Sequence, residues 1–187
     1  GDNPHGLSIP CFLWTEAVLR GREMGRDHGV LGLDERGLDA LDTDIKLIWS
    51  VASNILANQH GNLNWTAEIL RDESLVECIV VQDNFLTPTA RFADLVLPAC
   101  TQFETWGLAD GWKYGQEVIL LPQLVEPLGE SKSDYRICAD LATKLGIEEV
   151  YTEGRDERAW TAWILDRYRE EWLPELPTLD EMVQQNL

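Results

Sequence analysis

Residues 45–54 read IKLIWSVASN and residues 78–98 read CIVVQDNFLTPTARFADLVLP. Ile45–Val51 is a nearly continuous apolar run, the pattern of a strand covered on both faces in a parallel sheet, and it ends in the polar Ala52, Ser53 and Asn54. Cys78–Gln82 repeats that pattern. The intervening NWTAEILRDESL predicts a helix over Trp65–Leu75, so strand, crossover helix and strand make a right-handed βαβ unit. Beyond it, Thr87 is a natural N-cap with Pro88 at the first helical position, which predicts a short helix to Ala93. Leu95–Pro98 then predicts a third short parallel strand. Alternating strands and helices imply an α/β fold, a doubly wound and mostly parallel sheet flanked by helices, whose ligands bind at the carboxyl ends of strands.

Working outward, Phe12, Leu13, Ala17 and Leu19 fall near one helical face and predict a helix over Pro10–Met24, followed by a loop rich in Gly, Asp and Arg. Glu117–Leu121 (EVILL) predicts a fourth strand, preceded by the glycine-rich loop TWGLADGWKYGQ. Ser133 caps a helix that Gly146 stops; helices over Glu157–Trp172, ended by Pro174, and Leu179–Gln185, with Thr178 and Glu181 as a capping box, follow. A length of 187 residues with 44% hydrophobic content suits one α/β domain over 1–187, with 155–187 as a helical tail. The opening GDNPHG, beginning at Gly1, suits a piece cut from a longer protein.

Thirty-three acidic against fifteen basic residues give a net charge of −18, which excludes a surface that tracks nucleic-acid phosphates. An anionic ligand would have to be held by backbone N–H groups, helix N-termini and neutral side chains. Cys11, Cys78, Cys100 and Cys138 form no C-x-x-C pair and read as small core residues; His5, His28 and His60 are equally scattered, so no metal centre is expected. No signal peptide and no apolar run of about 18 residues is present, so no direct membrane insertion is expected. The sequence also lacks G-x-G-x-x-G, a P-loop and a G-x-S-x-G elbow, which leaves ordinary NAD, ATP and acyl-transfer readings without a motif.

The residues just after each strand carry the candidate chemistry. Asn54 is either a simple turn-former or a carboxamide donating to phosphate or ribose oxygens. Gln82 and Asp83 close the second strand: Asp83 either caps it in an Asx turn or accepts from ribose hydroxyls or from the N1–H and N2–H₂ edge of guanine. Asp134, in the first turn of the helix capped by Ser133, suits the helix dipole in any case. Glu104 reads as buried and paired with loop backbone or with Arg91, and Lys113 and Lys132 as solvated cations near these turns. Trp106 and Trp112 could stack on a planar ligand or pack on another domain, and eight tryptophans hint at missing partners.

IKLIWSVASN, CIVVQDNFLTPTARFADLVLPACTQFE and GESKSD closely resemble the third domain of molybdopterin oxidoreductases of the dimethyl sulfoxide reductase family, over about Pro10 to Glu153. The resemblance implies a Rossmann-like domain holding one guanine dinucleotide arm of bis(molybdopterin guanine dinucleotide), with contacts at Asn54, Gln82, Asp83 and Asp134. A lysine that sometimes follows the glutamate and touches the cofactor is here Thr105. The family's [4Fe–4S] cysteine cluster, its molybdenum ligand and its carboxyl-terminal domain have no counterpart in these residues, so the chain alone is expected to hold no cofactor and to be inactive. For the full enzyme the resemblance implies reduction of a sulfoxide or N-oxide in anaerobic respiration. It also implies an iron–sulfur subunit and a membrane anchor as partners, and a periplasmic location. Two rival readings are a free-standing nucleotide-binding module and an acidic interaction domain anchored by Trp106, Trp112 and Trp172.

Overall fold

The helix expected over Pro10–Met24 breaks into three pieces: a 3₁₀ turn at Cys11–Leu13, α1 (Trp14–Arg20) and a second 3₁₀ turn at Gly21–Glu23. Gly21 sits in the left-handed region at φ 52°, and a Cβ there would lie 2.2 Å from Asp44 Oδ1, so the chain turns where only glycine fits. Each break resets the helical phase. The buried face is therefore Trp14, Ala17 and Val18, while Phe12 and Leu19, which a continuous helix would have brought onto it, are 61% and 44% exposed. The computed structural model describes residues 6–58, 61–111 and 117–185, in two compact units, Gly1–Leu97 and Pro98–Leu187. His5, His60, Trp112 and Lys113 lie outside the described residues.

In the first unit the single turn α2 (Leu33–Arg36) packs Leu33 with Ala17, Met24, Val30 and Leu41. β1 (Leu47–Val51) then pairs in parallel with β2 (Cys78–Asp83), Leu47 opposite Cys78 and Val51 opposite Gln82. The crossover α3 (Leu63–Arg71) starts where the Asn62 side chain accepts the Trp65 N–H at 3.2 Å. It stops short of the expected Leu75 because Asp72 leaves the helix and accepts the Ser74 N–H at 3.0 Å in a local turn. Thr66, Ile69 and Leu70 are its buried face, and Ile69 and Leu70 join Val76, Ile79, Val81 and Ala90 in the core. Thr87 Oγ1 accepts the Ala90 N–H at 3.2 Å as a cap, but the turn it starts, Thr89–Phe92, is 3₁₀ rather than α. β3 (Leu95–Pro98) completes a parallel three-stranded sheet in the order β1-β2-β3, flanked by helices, so the architecture is mixed α/β as expected.

The expected fourth strand does not join that sheet. β4 (Gly107–Asp110), within the stretch read as a glycine-rich loop, pairs antiparallel with β5 (Val118–Leu121) as a separate two-stranded sheet in the second unit. A short strand carries too few residues to reveal its partner. α4 (Asp134–Leu145) is capped as read: Ser133 Oγ accepts the Arg136 N–H at 3.0 Å, and Gly146 at φ 72° closes the end. α5 (Glu148–Thr152) was not anticipated. α6 (Glu157–Glu171) is capped by Asp156, whose Oδ1 accepts the Ala159 N–H at 2.8 Å. α7 (Leu179–Gln185) carries the capping box, Thr178 N–H donating to Glu181 Oε2 at 2.8 Å and Glu181 N–H to Thr178 Oγ1 at 3.3 Å. Leu120, Leu165, Leu179 and Met182 form the core that joins the hairpin to α6 and α7. None of the four cysteines is a core residue: Cys11 is exposed and the others are half-buried. No helix among the described residues is long and apolar enough to cross a membrane.

Candidate functional site

At the carboxyl ends of β1 and β2 the backbone is held by a short chain of hydrogen bonds. Ala52 N–H donates to Gln82 O at 2.8 Å, extending the ladder one residue past β1, and Ala52 itself takes φ 47°, a left-handed conformation uncommon for a residue with a Cβ. Ser50 Oγ–H donates to Ser53 O at 3.1 Å and Ser53 Oγ accepts the Ile55 N–H at 3.2 Å, which aims Asn54 toward the loop after β2. There Asn54 Oδ1 accepts the Thr89 N–H at 2.9 Å, while the fully buried Thr89 returns the contact by accepting the Ala57 N–H on Oγ1 at 3.1 Å. The loops after the two strands are thus stapled together. No hydrogen bond among the described residues uses Asn54 Nδ2.

Gln82 is 1% exposed, so its side chain is part of the packed interior. Asp83, the last residue of β2, is half-buried; its Oδ1 accepts the Phe85 N–H at 2.9 Å, and its second oxygen accepts no hydrogen bond among the described residues. The Asx turn expected of Asp83 is thus present, and it uses one oxygen. The two residues that follow Asn84, Phe85 and Leu86, are 72% and 69% exposed, an apolar rim beside the carboxylate.

Asp134 lies in the second unit. Lys132 bridges in parallel with Ala99, its N–H donating to Pro98 O at 3.1 Å and its carbonyl accepting the Cys100 N–H at 2.9 Å. The Lys132-Ser133-Asp134 run is therefore extended backbone that turns into α4 with Asp134 exposed in the first turn. The nearby cations are engaged: Lys132 Nζ and Arg136 Nε reach the two oxygens of Asp140 at 2.7 and 2.9 Å. Among the described residues the structure brings Asn54, Gln82 and Asp83 to one sheet end and shows no cluster of three metal-ligating side chains. Sequence reading missed Thr89; its signal was a second threonine two residues after the cap.

Glu104 is buried and takes the first of its two expected partners, the loop backbone. Its Oε2 accepts both the N–H and the hydroxyl of Thr101 at 2.8 Å, and its Oε1 accepts the Leu128 N–H at 2.7 Å, so one buried carboxylate clips two loops. The Thr101 backbone bond, then its hydroxyl and the Leu128 N–H, hold this carboxyl below its ordinary value of 4.5. A depressed carboxyl contributes stability that is present above the unfolded value and is lost as pH falls through the folded one. The melting temperature of the native chain should accordingly exceed that of Glu104→Gln near neutral pH, and the gap should close below about pH 4.5. A gap that stays constant through a melting series from neutral to acid pH would show that the clip is not ionised.

A family model described as Molybdopterin oxidoreductase matches residues 18–144, and the chain belongs to that family. It is 42% identical to Dimethyl sulfoxide reductase DmsA of Haemophilus influenzae over 99% of this chain and 23% of that protein, and 42% identical to DmsA of Escherichia coli over 100% and 22%. Trimethylamine-N-oxide reductase of Vibrio cholerae is 38% identical over 88% of this chain and 19% of its own length. Among solved structures, acetylene hydratase from Pelobacter acetylenicus matches with a TM-score of 0.56 at 29% identity, over 70% of this chain and 17% of that one. The chain thus spans less than a quarter of the length of these relatives.

Proposed function

We propose that this chain is the α/β cofactor-binding domain of a larger molybdenum-dependent oxidoreductase subunit, acting on a sulfoxide or N-oxide, and that it holds the guanosine end of a bis(molybdopterin guanine dinucleotide). The observation that carries the reading is the donor and acceptor set at the ends of β1 and β2. Asn54 offers two amide donors and Asp83 one carboxylate oxygen that accepts no hydrogen bond among the described residues, on loops already fixed to each other by the Thr89 contacts. That set fits a nucleoside: amide donors suit phosphate or ribose oxygens, and a carboxylate suits the N–H edge of guanine. Gln82, buried in the first unit, positions rather than reads, and Asp134, an exposed acid at the first turn of α4, is the alternative acceptor that the resemblance implies. The named relatives support the sulfoxide and N-oxide class.

When bound, the cofactor supplies the metal centre of oxygen-atom transfer, and the residues of this chain bind and orient its nucleotide end. The iron–sulfur partner subunit, the membrane anchor, the [4Fe–4S] centre and the periplasmic location implied by the resemblance belong to the same proposal. The chain itself provides a direct test. Guanosine monophosphate should raise its melting temperature and shift backbone amide signals at 52–54, 83–87 and 89, and adenosine monophosphate should bind about tenfold more weakly, because adenine presents an acceptor where guanine presents N1–H. Equal responses to the two nucleotides would remove Asp83 as a reader of guanine.

A further inference from the structure

Phe85 is the most exposed aromatic side chain among the described residues, yet it sits on a fixed backbone. Its N–H donates to Asp83 Oδ1 at 2.9 Å and its carbonyl accepts the Thr87 N–H at 2.9 Å, so the loop holds it from both sides. Thr87 in turn caps the turn in which Thr89 and Ala90 are buried, Ala90 within the core of the first unit. Single exposed apolar side chains are common and need no explanation. What sets Phe85 apart is its attachment. Only the α- and β-carbons separate its ring from the nitrogen that the Asp83 carboxylate holds, so a base paired to the other oxygen of Asp83 comes within reach of the ring.

A base held by its edge alone gains little in water, since each hydrogen bond to the protein replaces one to solvent. An aromatic ring against its face excludes water and adds stacking, which for one base amounts to about tenfold in affinity or more. Phenylalanine suits that part because it carries no polar group that would compete for the carboxylate. Resting on the reading of this sheet end as a guanosine site, we propose that Phe85 is the platform on which the purine stacks while Asp83 holds its N–H edge. The two roles are separable. Every base presents a π face, so Phe85 adds affinity for any of them, and the choice of guanine belongs to Asp83.

The chain should be titrated with guanosine and adenosine monophosphates by NMR, following its backbone amides and the H8 proton of each base. In the native chain H8 should move upfield on binding, shielded by the ring current of Phe85. Phe85→Ala should abolish that shielding and weaken both nucleotides about tenfold while leaving their ratio unchanged. Its melting temperature should stay within about 1 °C of the native value, because the side chain is exposed. Phe85→Trp should restore affinity and shielding together. Leu86→Ala removes a similarly exposed side chain that has no π face, and should bind both nucleotides as the native chain does. Asp83→Asn should instead bring the two nucleotides to similar affinity with the shielding kept. Absence of nucleotide-induced shifts at 52–54, 83–87 and 89 would remove the guanosine reading and this proposal with it. Shifts there with H8 unshielded, native affinity in Phe85→Ala, or an equal loss in Leu86→Ala would overturn the role of Phe85 and leave that reading standing.

Discussion

Replacing Asp83 by alanine in the full-length subunit is expected to lower its guanine and molybdenum content while leaving the protein folded. The substitution removes an acceptor and leaves ligand N–H groups unpaired at a partly buried position, a loss of about 1–3 kcal/mol, which is about 5- to 150-fold in cofactor affinity. It also removes the Phe85 N–H contact, so the turn and the recognition must be separated. Asp83→Asn does this: the amide keeps an oxygen for Phe85 and replaces the second acceptor by a donor, and it should resemble alanine in cofactor content while resembling the native protein in melting temperature. Asp134→Ala serves as the comparison, because an exposed acid in the first turn of α4 has a role in the helix dipole irrespective of any ligand. Unchanged guanine and molybdenum in both Asp83 variants, with a reduction in Asp134→Ala, would transfer the role to Asp134.

Leu165→Ala should be the most damaging single core change in the second unit. Leu165 is fully buried on α6 against Leu120 of β5 and Leu179 and Met182 of α7, so truncation leaves a cavity that three separate elements would have to close. The expected cost is about 2–5 kcal/mol, a melting temperature lower by roughly 5–15 °C for a chain of this size. Leu145→Ala, at a position 64% exposed, should change it by no more than about 1 °C. Equal shifts for the two variants would mean that α6 and α7 do not share a core with the hairpin.

Much of the first unit was legible because its signals are local. A buried parallel strand announces itself by an unbroken apolar run, and both Ile45–Val51 and Cys78–Gln82 contain the observed strands within a residue or two. Caps were equally legible, since Ser133, Gly146 and the Thr178–Glu181 pair each act through bonds spanning three or four residues. What failed was non-local. The partner of Val118–Leu121 is a four-residue strand inside a glycine-rich stretch, and nothing in EVILL distinguishes pairing with it from joining the main sheet. The break in the first helix likewise depends on Asp44, some twenty residues away, filling the space where a Cβ at Gly21 would stand. At the candidate site the positions of Asn54 and Asp83 could be read from the strand ends, whereas the burial of Gln82 and the role of Thr89 depend on how two loops meet.

The bond from Thr89 N–H to Asn54 Oδ1 also has a directional meaning. A carboxamide is nearly symmetric in shape, and one held by nothing can turn over and exchange its oxygen for its nitrogen at little cost. Here a backbone donor claims the oxygen, so the other end is fixed as N–H before any ligand arrives. Aspartate would keep the staple but reverse the polarity of that far end, serine is too short to span both, and glutamine would displace it by a methylene. A contact wholly internal to the fold therefore sets the sign of what Asn54 presents, and ties the identity of the residue to two demands at once.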